Sequence, residues 1–129
     1  MNLTRVEWAI GALLVVGAVV ACLMPTDRLP VAFELNDKLS HLAGYGVLAV
    51  YFAGLMPPRR WWKIFVLLLL LGAVIEVAQH YMQLGRQGDP RDVIANSLGV
   101  LLGLLAGWLG LARWPEWVAA IFRRTGRAE

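Results

Sequence analysis

Apolar residues run along this chain in four long blocks, separated by short polar breaks. The first runs from Trp8 to Met24 without a charge and stops at Pro25. The second runs from Leu39 to Met56 and stops at Pro57-Pro58. The third runs from Trp61 to Met82, and the fourth from Val93 to Ala112. Each is apolar over most of its length, the pattern of a helix surrounded by lipid or protein rather than water. Crossing a bilayer takes about 20 residues, with roughly 17 to 25 the usual range. All four blocks are long enough, so the pattern predicts four transmembrane helices. A fifth, different element follows. Trp117, Val118, Ile121 and Phe122 repeat at helical spacing, Pro115 suits a first turn, and Arg123, Arg124 and Arg127 come next. That is an amphipathic helix over 114–125, suited to the surface of an anionic leaflet. A helix that binds a partner protein is the alternative.

Composition agrees with this reading. Of 129 residues, 59% are hydrophobic and 16% charged, and the mean hydropathy is +0.61. Soluble domains carry about 25% charged residues. The length allows one domain, 1–129. The net charge of +3 could point to nucleic acid. However, the basic residues sit in the breaks and in the C-terminal tail, where they act as orientation signals, so no nucleic-acid partner is expected. Eight fall on one side of the blocks: Arg5, Arg59, Arg60, Lys63, Arg113, Arg123, Arg124 and Arg127. Four fall on the other: Arg28, Lys38, Arg86 and Arg91. The positive-inside rule then places both termini in the cytoplasm. Trp61, Trp62, Trp108, Trp114 and Trp117 fall at the same interface, where indoles anchor. Val19-Val20-Ala21-Cys22 faintly resembles a lipoprotein processing site, but the basic segment before it is weak, and the first block reads as an uncleaved helix. A single cysteine, Cys22, rules out a disulfide within the chain.

Polar residues inside apolar helices are costly, and each needs a reason. Here they gather at the outer ends of three helices. Asp37, His41 and Tyr45 stand at i, i+4 and i+8, on one face of the second helix, each about 6 Å deeper than the last. Lys38 is adjacent and can snorkel to the surface. Glu76 and Gln79 share a face of the third helix. Asp89 is placed to cap the fourth helix, with Pro90 at its first position and Asp92 at its third. Asp92, Asn96, Gly99, Gly103 and Gly107 then fall on one face, so the polar top and a glycine ridge point the same way. Glycines four apart allow close approach of a neighbouring helix. The expected result is an outward-facing cup of carboxylates, an imidazole, amides and the Arg86 guanidinium.

Three chemistries fit the cup. His41 reads as a metal ligand, a general base or an interhelical hydrogen bonder. His41 and Glu76 are the metal candidates, and a divalent cation is the cofactor such donors would take, although no HExxH signature is present. Glu76, His41 and Asp92 are the catalytic candidates. Glu76 is the only acid deep in its helix, and it needs a cation, a metal or a proton; Arg86 and Lys38 are the cations considered. Asp37, Lys38, Tyr45, Gln79, Arg86 and Asn96 are the candidate substrate contacts, with Arg86 suited to a phosphate. Gly99, Gly103 and Gly107 are assigned to helix packing.

Asp37-Lys38-x2-His41-x3-Tyr45, Glu76-x2-Gln79, Arg86 and Asp92-x3-Asn96-x2-Gly99-x3-Gly103 together resemble the VanZ-like family of small bacterial membrane proteins. The likeness covers residues 35–107. It departs from the family pattern at Gly88-Asp89-Pro90, where a serine or threonine is expected. The family takes its name from a protein associated with teicoplanin resistance. The resemblance implies a bacterial cytoplasmic-membrane protein and a link to the cell envelope and to glycopeptides, but no particular reaction. The sequence therefore supports an all-α bundle of four transmembrane helices, both termini inside, with an interfacial C-terminal helix. Its partners would be the bilayer and a lipid-linked envelope substrate bound at the outer face. A non-catalytic accessory subunit of an envelope complex is the alternative, and the oligomeric state stays open.

Overall fold

The computed structural model describes residues 3–25, 37–82 and 89–125. Five α-helices carry them: α1 (Leu3–Leu23), α2 (Asp37–Leu55), α3 (Trp61–Met82), α4 (Pro90–Trp108) and α5 (Trp114–Thr125). Single 3-10 turns at Pro58–Arg60 and Leu111–Arg113 lead into α3 and α5. No strand occurs among the described residues. The protein is all-helical, as the block pattern predicts.

The boundaries have local causes. Pro57 and Pro58 end α2 and open the turn into α3. Trp61 folds back over that turn, and its indole N–H reaches the carbonyls of Ala53 at 3.2 Å and Met56 at 3.0 Å, satisfying the end of α2. Asp89 caps α4, accepting the Arg91 amide at 2.9 Å, with Pro90 in the first turn. The fourth helix ends at Trp108, four residues earlier than the apolar block suggests. The break lies at Gly110, whose φ of 129° is closed to ordinary L-residues. The chain turns there, and α4 and the segment beyond it meet at 69°.

Large apolar side chains cover the outside. Leu13 is 70% exposed, Leu67 63% and Val74 65%. Only 6% of the most apolar stretch of α1 is buried within the protein. Such a surface is stable in lipid and not in water, so this is a membrane protein. Two helices are long and apolar enough to cross a bilayer on their own, Thr4–Leu23 and Pro58–Met82. The bent pair Pro90–Trp108 and Leu111–Arg124 adds a third if taken as one span. The helix count meets the sequence expectation, whereas length and composition support two or three crossings. The polar first turns of α2 and α4 explain the shortfall.

Lipid tails are as apolar as leucine, so burial alone does not hold such helices together; close packing and interhelical hydrogen bonds must. The seam between α2 and α4 shows the first. A Cβ on Gly99 would overlap the Leu42 carbonyl oxygen, and one on Gly103 would overlap the Gly46 carbonyl and stand 2.8 Å from the Ala49 Cβ. Gly107 is looser, with an added Cβ 3.4 Å from that of Ala53. Two of the three ridge glycines thus enforce backbone contact, and Gly107 fits an ordinary one. The core is small: Leu48, Ala49, Ala53, Ile64, Leu68 and Val100 around Tyr45.

Candidate functional site

At the end of α2 and α4 away from Pro57, the same seam carries polar residues instead of glycines. Asp37, Lys38 and His41 come from the first two turns of α2, and Asp92 and Asn96 from those of α4. Because α2 and α4 touch along their backbones, these short side chains meet directly. His41, Asp92 and Asn96 are 5%, 3% and 2% exposed.

His41 is the hub. Its Nδ1 lies 3.0 Å from Asn96 Oδ1. A carbonyl oxygen can only accept, so Nδ1 donates there, and Nε2 faces the other way. Two carboxylate oxygens face Nε2, Asp37 Oδ1 and Asp92 Oδ2, each at 3.8 Å. Donor atoms of Asp37, His41 and Asp92 all lie within 4.8 Å of one another, so these three could hold a metal ion.

Lys38 closes the group on its other side. Its ammonium donates to Asp92 Oδ1 at 2.7 Å and to Asp89 Oδ2 at 2.8 Å. Asp92 therefore gives one oxygen to Lys38 and turns the other towards His41. The Lys38 ammonium, then the Arg91 amide, holds the Asp89 carboxyl below its ordinary pKa range. Asp89 thus both caps α4 and pairs with α2, at the place where its sequence departs from the family pattern. Asp92, expected to combine a place in the first turn of α4 with a role in the site, turns its carboxylate into the seam.

The third helix contributes less than expected. Glu76 is not among the grouped metal donors, which are Asp37, His41 and Asp92. Lys38, one of its two expected cations, is bonded to Asp89 and Asp92. Glu76 Oε1 is buried with no hydrogen-bond partner among the described residues, while the carboxylate accepts the backbone N–H of Asp89 at the start of α4. The buried stripe of α3 is Ile64, Leu68, Gly72, Ile75 and Gln79, and Glu76 falls beside it. Gln79 is buried, but its amide N–H fastens α3 to the Cys22 carbonyl of α1 at 2.7 Å. Arg86, the expected anion contact, lies outside the described residues.

Tyr45 stands one turn beyond His41, 3% exposed, with no hydrogen-bond partner on its hydroxyl among the described residues. Gly72 makes room for it: a Cβ there would lie 3.3 Å from the hydroxyl and 2.8 Å from Asn96 Nδ2. Sequence reasoning missed the contribution of α1. Ala18, Ala21 and Cys22 face His41, Gly44 and Tyr45 across a cleft of about 130 Å³, which Asp37 also lines. The small residues of α1 were the available signal, but nothing in the sequence pairs α1 with that face of α2.

A family model described as VanZ/LLP1 matches residues 9–111. No curated protein and no solved structure matches the chain. The match spans all four long helices, the His41 cluster and the α2–α4 seam, and the chain belongs to the VanZ-like family.

Proposed function

We propose that this is a multi-pass protein of the bacterial cytoplasmic membrane that binds the phosphorylated headgroup of an envelope lipid at the outer face. On this reading α1 to α4 all cross, the polar first turns of α2 and α4 reach the outer interface, and α5 lies on the inner leaflet. The eight-to-four distribution of lysine and arginine supports that orientation. So do the exposed Trp117, Ile121 and Phe122 on α5, an apolar face suited to the lipid boundary.

One observation carries the ligand class. The cleft between α1 and α2 is lined by the small residues Ala18, Ala21, Cys22 and Gly44 together with Asp37, Ser40, His41 and Tyr45. An apolar channel that leads to a buried polar group fits an amphiphile, with its chain in the cleft and its head at the cluster. If chemistry follows binding, His41 is the group best placed to move a proton, since Asn96 holds its Nδ1 and carboxylates flank Nε2. The family name makes glycopeptide susceptibility the phenotype to examine in cells.

The test fills the cleft. An added Cβ on Gly44 meets nothing within 4 Å, so Gly44→Leu projects a side chain into the ligand's space without disturbing the α2–α4 seam. Native mass spectrometry would compare phosphatidic acid with diacylglycerol on the purified protein. Wild type should retain the phosphorylated lipid preferentially, and Gly44→Leu should lose it at an unchanged melting temperature. Equal retention by the variant, or no preference for the phosphate, would sink the reading and favour an accessory role.

A further inference from the structure

We infer that Asp37, His41 and Asp92 form a binding site for one divalent transition-metal ion of the zinc class, with Asn96 as the residue that orients the imidazole. Three features of the structure converge on this. The donor set is one imidazole and two carboxylates, from two helices locked together by backbone contact. Such donors suit zinc or manganese. Nε2 stands 3.8 Å from each carboxylate oxygen. That is longer than a hydrogen bond and close to the spacing of about 3.4 Å between two ligands set tetrahedrally about 2.1 Å from one ion. Finally, the Nδ1 contact with Asn96 is the outer hydrogen bond that metal-bound histidines make.

The neighbourhood supplies an independent sign of a ligand. The Tyr45 hydroxyl is buried without a hydrogen-bond partner among the described residues, and Tyr45 lines the cleft that contains His41 and Asp37. Native proteins rarely leave such a group unsatisfied. An ion with three protein ligands keeps a position for water or a ligand oxygen, and a molecule held there would face the cleft. The phosphate contact rests on the lipid reading above; the ion itself does not.

The experiment uses the full-length protein in detergent, stripped with chelator and titrated with zinc, with manganese as comparator. Bound metal is read by elemental analysis after equilibrium dialysis, and folding by elution volume and melting temperature. Wild type should take one ion per chain. Asn96→Ala should weaken binding about 10- to 100-fold, as loss of an outer-shell partner does, and His41→Ala and Asp92→Asn should weaken it further. Glu116→Gln should bind like wild type, since Glu116 lies on α5 and pairs with Arg113. Where a variant fails to fold, X-ray absorption on zinc-loaded wild type decides instead. One imidazole nitrogen with carboxylate oxygens at about 2.0 to 2.2 Å supports the site. Absence of stoichiometric metal, a spectrum without imidazole, or full retention by both folded His41→Ala and Asp92→Asn would overturn it. Metal binding that survives in Gly44→Leu while lipid is lost separates the two proposals. Lipid binding by a protein that takes no metal would reject the ion and leave the lipid reading intact.

Discussion

Helix α2 has two different neighbours. Against α4 it packs backbone to backbone, with Gly99 and Gly103 leaving no room for a Cβ. Against α1 the contact is side chain to side chain, and only part of it is close. Near the Pro57 end, Tyr51 donates to the Glu7 carbonyl at 2.6 Å, and the Phe52 ring lies within 2.9 Å of where a Gly11 Cβ would stand. At the polar end the two helices part around the cleft, and an added Cβ on Gly44, which lines it, meets nothing within 4 Å. The comparison separates two needs of a site. Positions must be held to fractions of an ångström, which the α2–α4 seam provides, and a ligand must be able to enter, which the α1–α2 side allows.

The sharpest way to break this comparison is to add the same methyl group on each side. Gly99→Ala should destabilise by about 3 kcal/mol, the upper end of overpacking, because its obstacle is backbone and cannot rotate away. Gly44→Ala, on the cleft side of α2, should instead stabilise by up to about 1 kcal/mol through helix propensity, since its added Cβ meets nothing. Thermal melts in one detergent, followed by tryptophan fluorescence, give both values. Shifts of the same sign would mean that the two interfaces do not differ as described.

A smaller effect tests the polar end of the tight seam. Lys38→Met keeps the side chain's length but leaves Asp92 buried without its ammonium. Breaking a buried pair costs about 3 to 5 kcal/mol. The Lys38 side chain is 46% exposed, so solvent screening reduces the expected loss to roughly 2 kcal/mol. The additional substitution Asp92→Asn should recover part of it. No recovery would show that Lys38 acts through something other than Asp92.

The smallest effect concerns pH. Pairing with Lys38 holds the Asp89 carboxyl below its ordinary value of 3.8. A carboxyl depressed on folding contributes stability above its unfolded pKa, and that contribution is lost as pH falls through the folded one. Asn caps a helix about as well as Asp, so Asp89→Asn removes the charge and keeps the cap. The variant should melt slightly below wild type near neutral pH and converge with it below about pH 4. A gap that persists in acid would assign the loss to the cap and not to the pair.

Much of this site was legible in the sequence because helices have a fixed period. Asp37, His41 and Tyr45 had to share a face, as did Asp92, Asn96 and the glycines. The glycine ridge also identified the surface of α4 that presses on a neighbour. Glu76 shows where that reasoning stops. Its depth in α3 could be counted, but its distance from His41 depends on how α3 is rotated, and one residue is 100°. Gln79 won the buried stripe and Glu76 lies at its margin. Asp89 illustrates the converse, a residue read as a local cap that also reaches Lys38, 51 positions away in sequence.

The sequence by itself determined that this is an all-helical membrane chain, where its long helices fall, and which residues of each helix stand together. Those properties follow from hydropathy and helical period, which are local. Only the tertiary structure decided which faces meet. It brought Asp37 and His41 against Asp92 and Asn96, moved Glu76 out of the donor group, and opened a cleft beside α1. These depend on the spacing and rotation of separate helices, and packing over the whole bundle sets both.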